Sequence, residues 1–301
     1  MTTRTGADGD SAMTVVMITR NRRAEARRAV EQLLQLPERP PVIVVDNGSR
    51  DHTSSDLRSL HDRVSVIELD HNAGASGRNI GARHATTPYV AFADDDSTWL
   101  PGALGRAAEV LDAHPRIGLI AGRILVGPEQ RLDPLSAEMA ASPLPIDPAL
   151  PGRPVLGFAA CGAIVRRHAF LAVGGFDEHY GVGGEEGRLA VALAAAGWAL
   201  VYVPECVARH WPSPARDHAT RRRILTRNDL WSCWHHRRWP TVLRTTARTL
   251  RAARTDPATR AGLIDAARRA LPELRRREAV EPWLEHHLQL LDAGAAGTRR
   301  R

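Results

Sequence analysis

The chain contains no lysine; all 41 of its basic residues are arginine. With alanine abundant beside them, this is the mark of a genome-wide composition bias. The net charge of +7, from 41 basic and 34 acidic residues, is therefore only a modest pointer to an anionic partner. Cysteine is scarce. Cys161, Cys206 and Cys233 stand far apart without metal-ligand spacing, which argues against a disulfide framework or a zinc site and fits thiols in a reducing compartment. Long apolar runs are missing too. The longest uncharged stretch, Leu189 to Val203, is too short to span a bilayer and holds Gly197 at an expected turn. Met1 to Asp10 is polar and lacks the apolar centre of a signal peptide. The expectation is a cytoplasmic protein with peripheral membrane contact at most, and disorder over residues 1–12.

What remains makes a core readily. Apolar types account for 43% of the 301 positions, enough for one large α/β domain, alone or with a smaller appendage. Strand patterns fall at Thr14–Thr19, Val42–Val45, Val64–Leu69 and Tyr89–Ala93, with helix patterns between them at about 24–36 and from Arg78. This alternation predicts a parallel sheet with right-handed crossovers, whose ligands collect beyond the carboxyl ends of the strands. Three polar turns fall at such ends: Thr19-Arg20-Asn21, Asp46-Asn47-Gly48-Ser49 and Asp94-Asp95-Asp96.

Further on, prolines recurring from Gly127 to Pro154 predict an extended loop. A strand is expected at Phe158–Val165 and a helix over about 188–196, closed by Gly197. The strand from Trp198 is expected to stop at Pro204. Beyond a boundary at about 212–215, arginine-rich helices carry Trp231, Trp234, Trp239 and Trp283.

The cluster Asp94-Asp95-Asp96 carries the most chemistry. Three adjacent carboxylates repel one another unless they are solvated or a hard divalent cation neutralises them. Alternate side chains of an extended segment share a face, so Asp94 and Asp96 can address one metal while Asp95 faces away. A metal held there can carry a diphosphate. Gly74 and Gly77 belong to a turn that is not a dinucleotide-binding fingerprint.

The chain resembles the family 2 glycosyltransferases, which have the GT-A fold: a Rossmann-like, mostly parallel central sheet flanked by helices. The matching elements are Val44 to Ser49, Asn72-Ala73-Gly74 with Arg78-Asn79-Ile80-Gly81, and the acid cluster, followed by Gly174 to Glu178, Glu185-Glu186 and His210. They stand in family order and cover roughly residues 13–212, leaving 213–301 as a helical extension. The resemblance implies transfer of a sugar, with inversion, from a nucleotide-diphospho-sugar to a hydroxyl acceptor. It assigns Glu186 as general base, and Asp94 and Asp96 as ligands of Mg2+ or Mn2+, joined by His210 in some members. Thr19, Arg20, Asn21, Asp46, Asn72, Gly74, Arg78, Asn79, Asp94 and Asp95 fall to the donor side, with UDP- or dTDP-sugars expected. Gly184, Glu185 and Trp211 fall to the acceptor side. Three positions depart from the pattern: Glu186 stands where the base is usually Asp, Arg188 where an acid is usual, and Ala192 where an arginine is usual.

Two other classes stay open at this level. A degenerate relative would bind nucleotide-sugar without turnover. An arginine-rich nucleic-acid-binding protein would show steep salt dependence, but no motif for one is present and no nucleic-acid partner is expected. Arg221-Arg222-Arg223 and His235 to Trp239 read either as solvated helix faces or as an anionic-membrane or lipid-phosphate contact. A hydroxyl acceptor, free or lipid-linked, is compatible with both.

Overall fold

A computed structural model describes residues 11–212 and 217–298, with side chains described as far as 294. Most of the expected N-terminal disorder (1–10) and the prolyl boundary at 213–216 lie outside the described residues. The first half runs β1 (Met13–Thr19), α1 (Arg23–Leu34), β2 (Val42–Asp46), α2 (Thr53–Arg58), β3 (Val64–Glu68), α3 (Gly77–His84) and β4 (Tyr89–Asp94). Then come β5 (Ser97–Trp99), α4 (Ala103–Ala113), β6 (Ile117–Val126), β7 (Arg131–Leu132), α5 (Pro134–Ala140) and β8 (Arg153–Pro154). They are followed by β9 (Ala163–Arg166), α6 (Arg167–Ala172), α7 (Glu185–Ala195) and β10 (Ala199–His210). Five helices close the chain: α8 (His218–His236), α9 (Trp239–Ala252), α10 (Pro257–Arg268), α11 (Ala270–Arg275) and α12 (Pro282–Thr298).

One sheet orders the strands β3-β2-β1-β4-β9-β6-β10-β5. The strands β3, β2, β1, β4, β6 and β10 run one way; β9 and the short β5, β7 and β8 oppose them. This is the mixed, mostly parallel sheet expected. Helices cover both faces. Val15, Met17, Val44, Ala91 and Ala93 point into one apolar cluster, whereas Val16, Val45, Val90 and Phe92 point into another. A strand buried on both faces needs apolar residues at every position, which is why these segments read as unbroken runs.

Three expectations need correction. The strand expected at Phe158–Val165 forms only as β9 from Ala163, because Ala160–Gly162 makes a 3-10 turn before it. The segment 127–154 is not wholly irregular, because Pro134 starts α5 instead of breaking it. Asp133 caps the helix by accepting from Leu135 N at 2.8 Å, and Pro134 occupies the first turn, where its missing N–H costs nothing. Nor does the last strand stop at Pro204. β10 continues to His210, with a register shift against β6 between Val203 and Val207 that takes Pro204 out of the ladder.

The C-terminal helices are joined to the sheet through the core. Val280 and Leu284 sit in the same apolar cluster as Val16 and Phe92, while Leu230, Trp231, Trp234 and Val242 build a third cluster around Tyr180. Phe92 meets Phe170 and Phe176 at centroid distances of 5.3 and 5.6 Å. Truncating it leaves a cavity directly under the strand that ends in Asp94. Phe92→Ala is expected to destabilise the fold by roughly 3–5 kcal/mol, read from calorimetric or denaturant unfolding. A loss under 1 kcal/mol would mean that this face is not close-packed.

Candidate active site

The three polar turns meet at the carboxyl edge of the sheet. Asn21 N donates to Ser49 Oγ and Arg50 N to Asn21 Oδ1, both at 2.8 Å, which stitches the β1–α1 turn to the β2–α2 turn. Thr19 Oγ1 donates to Asp95 at 2.9 Å, tying the first turn to the acid cluster. Arg20 is exposed on this rim. Asp46 is buried, accepting from Ser49 N and from the Ser54 hydroxyl, so its carboxylate shapes the turn that carries Asn47.

The glycine-rich segment is fixed from both sides. Asn72 Oδ1 accepts from Gly74 N at 3.0 Å, and Asn47 Nδ2 donates to Gly74 O at 3.1 Å. Gly74 has φ +59°, and a Cβ there would stand 3.0 Å from Gly181 Cα, so glycine is required where the donor-side loop meets the loop before α7. Asn79 is buried and its amide clamps Phe176, donating to O at 2.7 Å and accepting from N at 2.9 Å. The residue expected beside the donor thus holds the 174–178 turn in place.

Cations neutralise the acid cluster. Arg22 Nη1 lies 3.1 Å from Asp95 and 3.5 Å from Asp96, and Arg78 Nη2 is paired with Asp94. Asp95 turns toward Thr19 and Arg22, and burial pushes its carboxyl up to about 7 despite them. The short β5 follows the cluster and pairs antiparallel with the end of β10, which sets His210 opposite Ser97. His210 Nε2 therefore comes within 3.4 Å of Asp96 Oδ1, and Trp211 N donates to Asp96 O at 2.8 Å. Trp211, expected on the acceptor side, lines a cavity of about 260 Å³ with Glu25, Arg28, Asp95 and Asp96. A larger cavity of about 460 Å³ lies along α3, the 174–179 turn and α7. It contains neither the acid cluster nor Glu186, so size alone does not locate the chemistry.

Glu185 and Glu186 open α7 after Gly184, whose φ of +85° makes it the left-handed N-cap. Glu185 is buried, accepts from Gly183 N, and is pushed up to about 8 by burial and by Glu186, against the pull of Arg78. Glu186 is half-buried. Arg78 links the two acid sites. Burial works against its charge, yet Asp94, Glu185 and Glu186 together hold its guanidinium above the ordinary value. Cys161 lies within electrostatic reach of Asp94, Asp96, Arg78 and Glu186, and burial raises its thiol well above the usual range. The strand-end acids and the α7 acids thus surround one region.

No group of three or more His, Cys, Asp or Glu poised to hold a metal occurs among the described residues. The donor set nevertheless suits Mg2+ or Mn2+. Such ions take one or two carboxylates and complete their shell with substrate phosphates and water; Asp96 beside His210 would offer an oxygen and a nitrogen, and Asp94 would add a second carboxylate on leaving Arg78.

Several residues that the motifs do not mark hold this arrangement. Arg22 is one, and the repulsion within the acid cluster was the only hint of it. Asn228 of α8 is fully buried and donates to Tyr180 O, at 3.0 Å, and to Gly183 O; Arg227 donates to Tyr180 O at 2.7 Å. Arg188 pairs with Asp177 at 2.9 Å and donates to His236 Nε2 at 3.0 Å, linking α7 to α8. Burial holds the His236 imidazole down at about 3, so this ring is neutral and accepts the bond. Arg188 thus draws its acid partner from the 174–178 turn.

The family model Glycosyl transferase family 2 matches residues 14–174. The pre-mycofactocin glycosyltransferase of Mycobacterium tuberculosis is 34% identical over 221 residues, 70% of this chain and 44% of that protein. The chain thus spans less than half the length of this relative. The N-acetylglucosaminyl-diphospho-decaprenol L-rhamnosyltransferase of the same organism is 29% identical over 299 residues, 85% of this chain and 96% of that one. A mannosyltransferase from Pyrobaculum calidifontis, solved with GDP-Man and Mn2+, shares the fold at a TM-score of 0.59 and 21% identity, over 95% of this chain and 80% of its own. Staphylococcus aureus TarS 1–349 with UDP-GlcNAc superposes at 0.57 with 16% identity, over 73% of this chain and 66% of its own.

Two outcomes follow from the geometry. Asn228→Ala removes the side-chain donor to Gly183 O and is expected to destabilise the protein by roughly 1–3 kcal/mol, read from the denaturant midpoint. A midpoint equal to wild type would show that α8 does not hold this loop. Glu185 has a folded pKa of about 8 against an ordinary 4.5. Its neutral form is favoured in the fold, so its contribution is full below the ordinary value and lost as pH rises through about 8. Melting temperature should decline over that window and Glu185→Gln should flatten the decline; an unchanged slope would assign it to other groups.

Proposed function

This chain belongs to glycosyl transferase family 2, and from that premise we propose that it moves a hexosyl group from a nucleotide-diphospho-sugar to an acceptor hydroxyl, inverting the anomeric centre. The observation that carries this reading is Arg78. It is buried between the strand-end acids and the α7 acids, with Nε and Nη1 lacking a hydrogen-bond partner among the described residues. Unpaired buried N–H groups cost roughly 1–3 kcal/mol each, and the oxygens of a donor diphosphate would satisfy them. A fixed cation at that point also stabilises the charge that grows on the leaving diphosphate.

In this reading Asp96 and His210, with Asp94, would hold Mg2+ or Mn2+, which when bound would supply Lewis-acid neutralisation of the diphosphate. Glu186 takes the proton from the acceptor hydroxyl as that oxygen attacks the anomeric carbon from the face opposite the leaving group. Glu185, more basic than an ordinary carboxyl, lies next to that proton acceptor and orients the acceptor with Gly184. Thr19, Arg20, Asn21, Asp46, Asn72, Gly74, Arg78, Asn79, Asp94 and Asp95 form the donor side, and a UDP- or dTDP-sugar is the expected donor. Residues 13–212 form the catalytic unit, and the C-terminal helices brace its acceptor loop.

A lipid-linked sugar is the acceptor class we favour. The supporting relative is the decaprenol-linked rhamnosyltransferase, which matches 85% of this chain. The setting is then cell-surface polysaccharide or glycolipid assembly at the cytoplasmic face of a membrane.

The test is release and transfer of sugar from a panel of UDP- and dTDP-sugars with Mg2+ or Mn2+. Product configuration opposite to that of the donor is expected. Glu186→Gln should lower kcat by 100-fold or more, in keeping with the roughly 10²–10⁴-fold contribution of general acid–base catalysis. Asp96→Asn should abolish the rise in melting temperature that a nucleoside diphosphate produces only with metal. Full activity in Glu186→Gln would remove this residue from the base role. No thermal response to any nucleotide with metal would sink the donor assignment.

A further inference from the structure

Helix α9 presents two different exposed sectors. At the helical repeat, Trp239, Leu243 and Leu250 fall within about 40° of one another, and all three are exposed, at 53%, 66% and 52%. Arg244, Arg248 and Arg251 occupy the adjoining exposed sector, roughly 100–160° further round. Thr241, Val242 and Ala253 are buried and attach the opposite side to the protein. From Arg238 to Arg254 there are five arginines and no acid; the nearest acids in sequence are Asp229 and Asp256. None of the five forms an ion pair among the described residues.

Trp239 is also pre-positioned. The guanidinium of Arg277 lies over its ring at 4.5 Å from the centroid while donating to Trp234 O at 2.7 Å and Arg237 O at 2.6 Å. Those carbonyls belong to the last turn of α8 and to the residue that follows it, where partners outside the helix are needed. The exposed indole is therefore held at the start of α9 instead of folding back onto the core.

We infer that α9 is an interfacial helix that docks the protein on an anionic lipid bilayer. The Trp239–Leu243–Leu250 stripe enters the acyl boundary, and Arg244, Arg248 and Arg251 reach the headgroup phosphates alongside it. Charge complementarity selects this occupant. A second copy of the chain, meeting through the same face, would bring the six arginines of the two Arg244–Arg248–Arg251 sectors together, with no acid in either helix to pair them. Nucleic acid would satisfy the arginines but leave Leu243 and Leu250 facing water. An anionic membrane satisfies both sectors at once, adding apolar burial to an attraction of about 1 kcal/mol for each basic residue at the surface.

The experiment is sedimentation of the full chain with vesicles of phosphatidylcholine and 30% phosphatidylglycerol, and with phosphatidylcholine alone, at low and high salt. Binding to the anionic vesicles, weakened by salt, is expected. Leu243→Ser with Leu250→Ser should lower the partition coefficient at least tenfold. Arg244→Ser with Arg248→Ser should do the same, with melting temperatures near wild type because all four side chains are exposed. Absence of binding to anionic vesicles at low salt would overturn the proposal. So would binding unaffected by the leucine pair, a dimer that the leucine pair dissolves, or displacement of the protein from vesicles by a duplex oligonucleotide in stoichiometric amount. Transfer to a water-soluble acceptor should be unchanged in these variants, which separates failure of the docking surface from failure of the transferase reading.

Discussion

The repulsion among five carboxylates at one rim of the sheet is the constraint on which the site depends. Two unit charges 4 Å apart near a protein surface interact by about 4 kcal/mol, so Asp94, Asp95, Asp96, Glu185 and Glu186 could not be gathered without counter-charges. Arg78 stands against Asp94 and the α7 acids, and Arg22 against Asp95 and Asp96. Burial first, and the neighbouring acids after it, raise the basicity of Glu185 and Asp95 despite these cations. The rest of the architecture places these cations. Helix α3 packs so closely on β1 that a Cβ on Gly81 would meet Val16 Cγ1 at 2.4 Å, and this contact sets the helix that carries Arg78.

Under the proposed donor and metal assignment the same balance would govern binding: a diphosphate would add negative charge to this rim and a dication would offset it. Asp94 is the most accessible of the three strand-end acids, its side chain being 32% exposed against 10% for Asp95 and Asp96, and its carboxylate pairs with a single guanidinium. An exchange in which Arg78 turned from Asp94 to phosphate, and Asp94 to the metal, would keep every charge partnered, with Asp95 still held by Thr19 and Arg22.

Legibility in the sequence followed burial and locality. β1, β2 and β4 are buried on both faces, so each appears as an apolar run ending in a polar turn, and the edge where the turns gather could be read directly. β5 is three residues long, too short for alternation to register, yet its pairing brings His210 to Asp96. Pro134 and Pro204 read as breakers because the sequence alone does not reveal an N-terminal first turn or a bulge. Arg22 and Asn228, and the partners of Arg188, were silent for another reason. Their partners lie 73 or more residues away for Arg22, and 45 and 48 residues away for the Asn228–Gly183 and Arg188–His236 bonds, and a pairing over such separations leaves no periodic trace.

The missing lysines look different once these contacts are in view. Every cation–π pair among the described residues involves arginine, and in several the guanidinium does a second task at the same time. Arg78 lies over Phe176 while pairing with Asp94; Arg227 covers Trp231 while binding Tyr180 O; Arg277 covers Trp239 while closing the end of α8. A planar fork can stack on a ring and donate in its own plane together, whereas an ammonium offers a single point of charge. A lysine at 277 would therefore be expected to keep the charge and lose either the stack or a helix-end carbonyl. Whatever bias filled the chain with arginine, the fold has come to use the shape of that side chain as well as its charge.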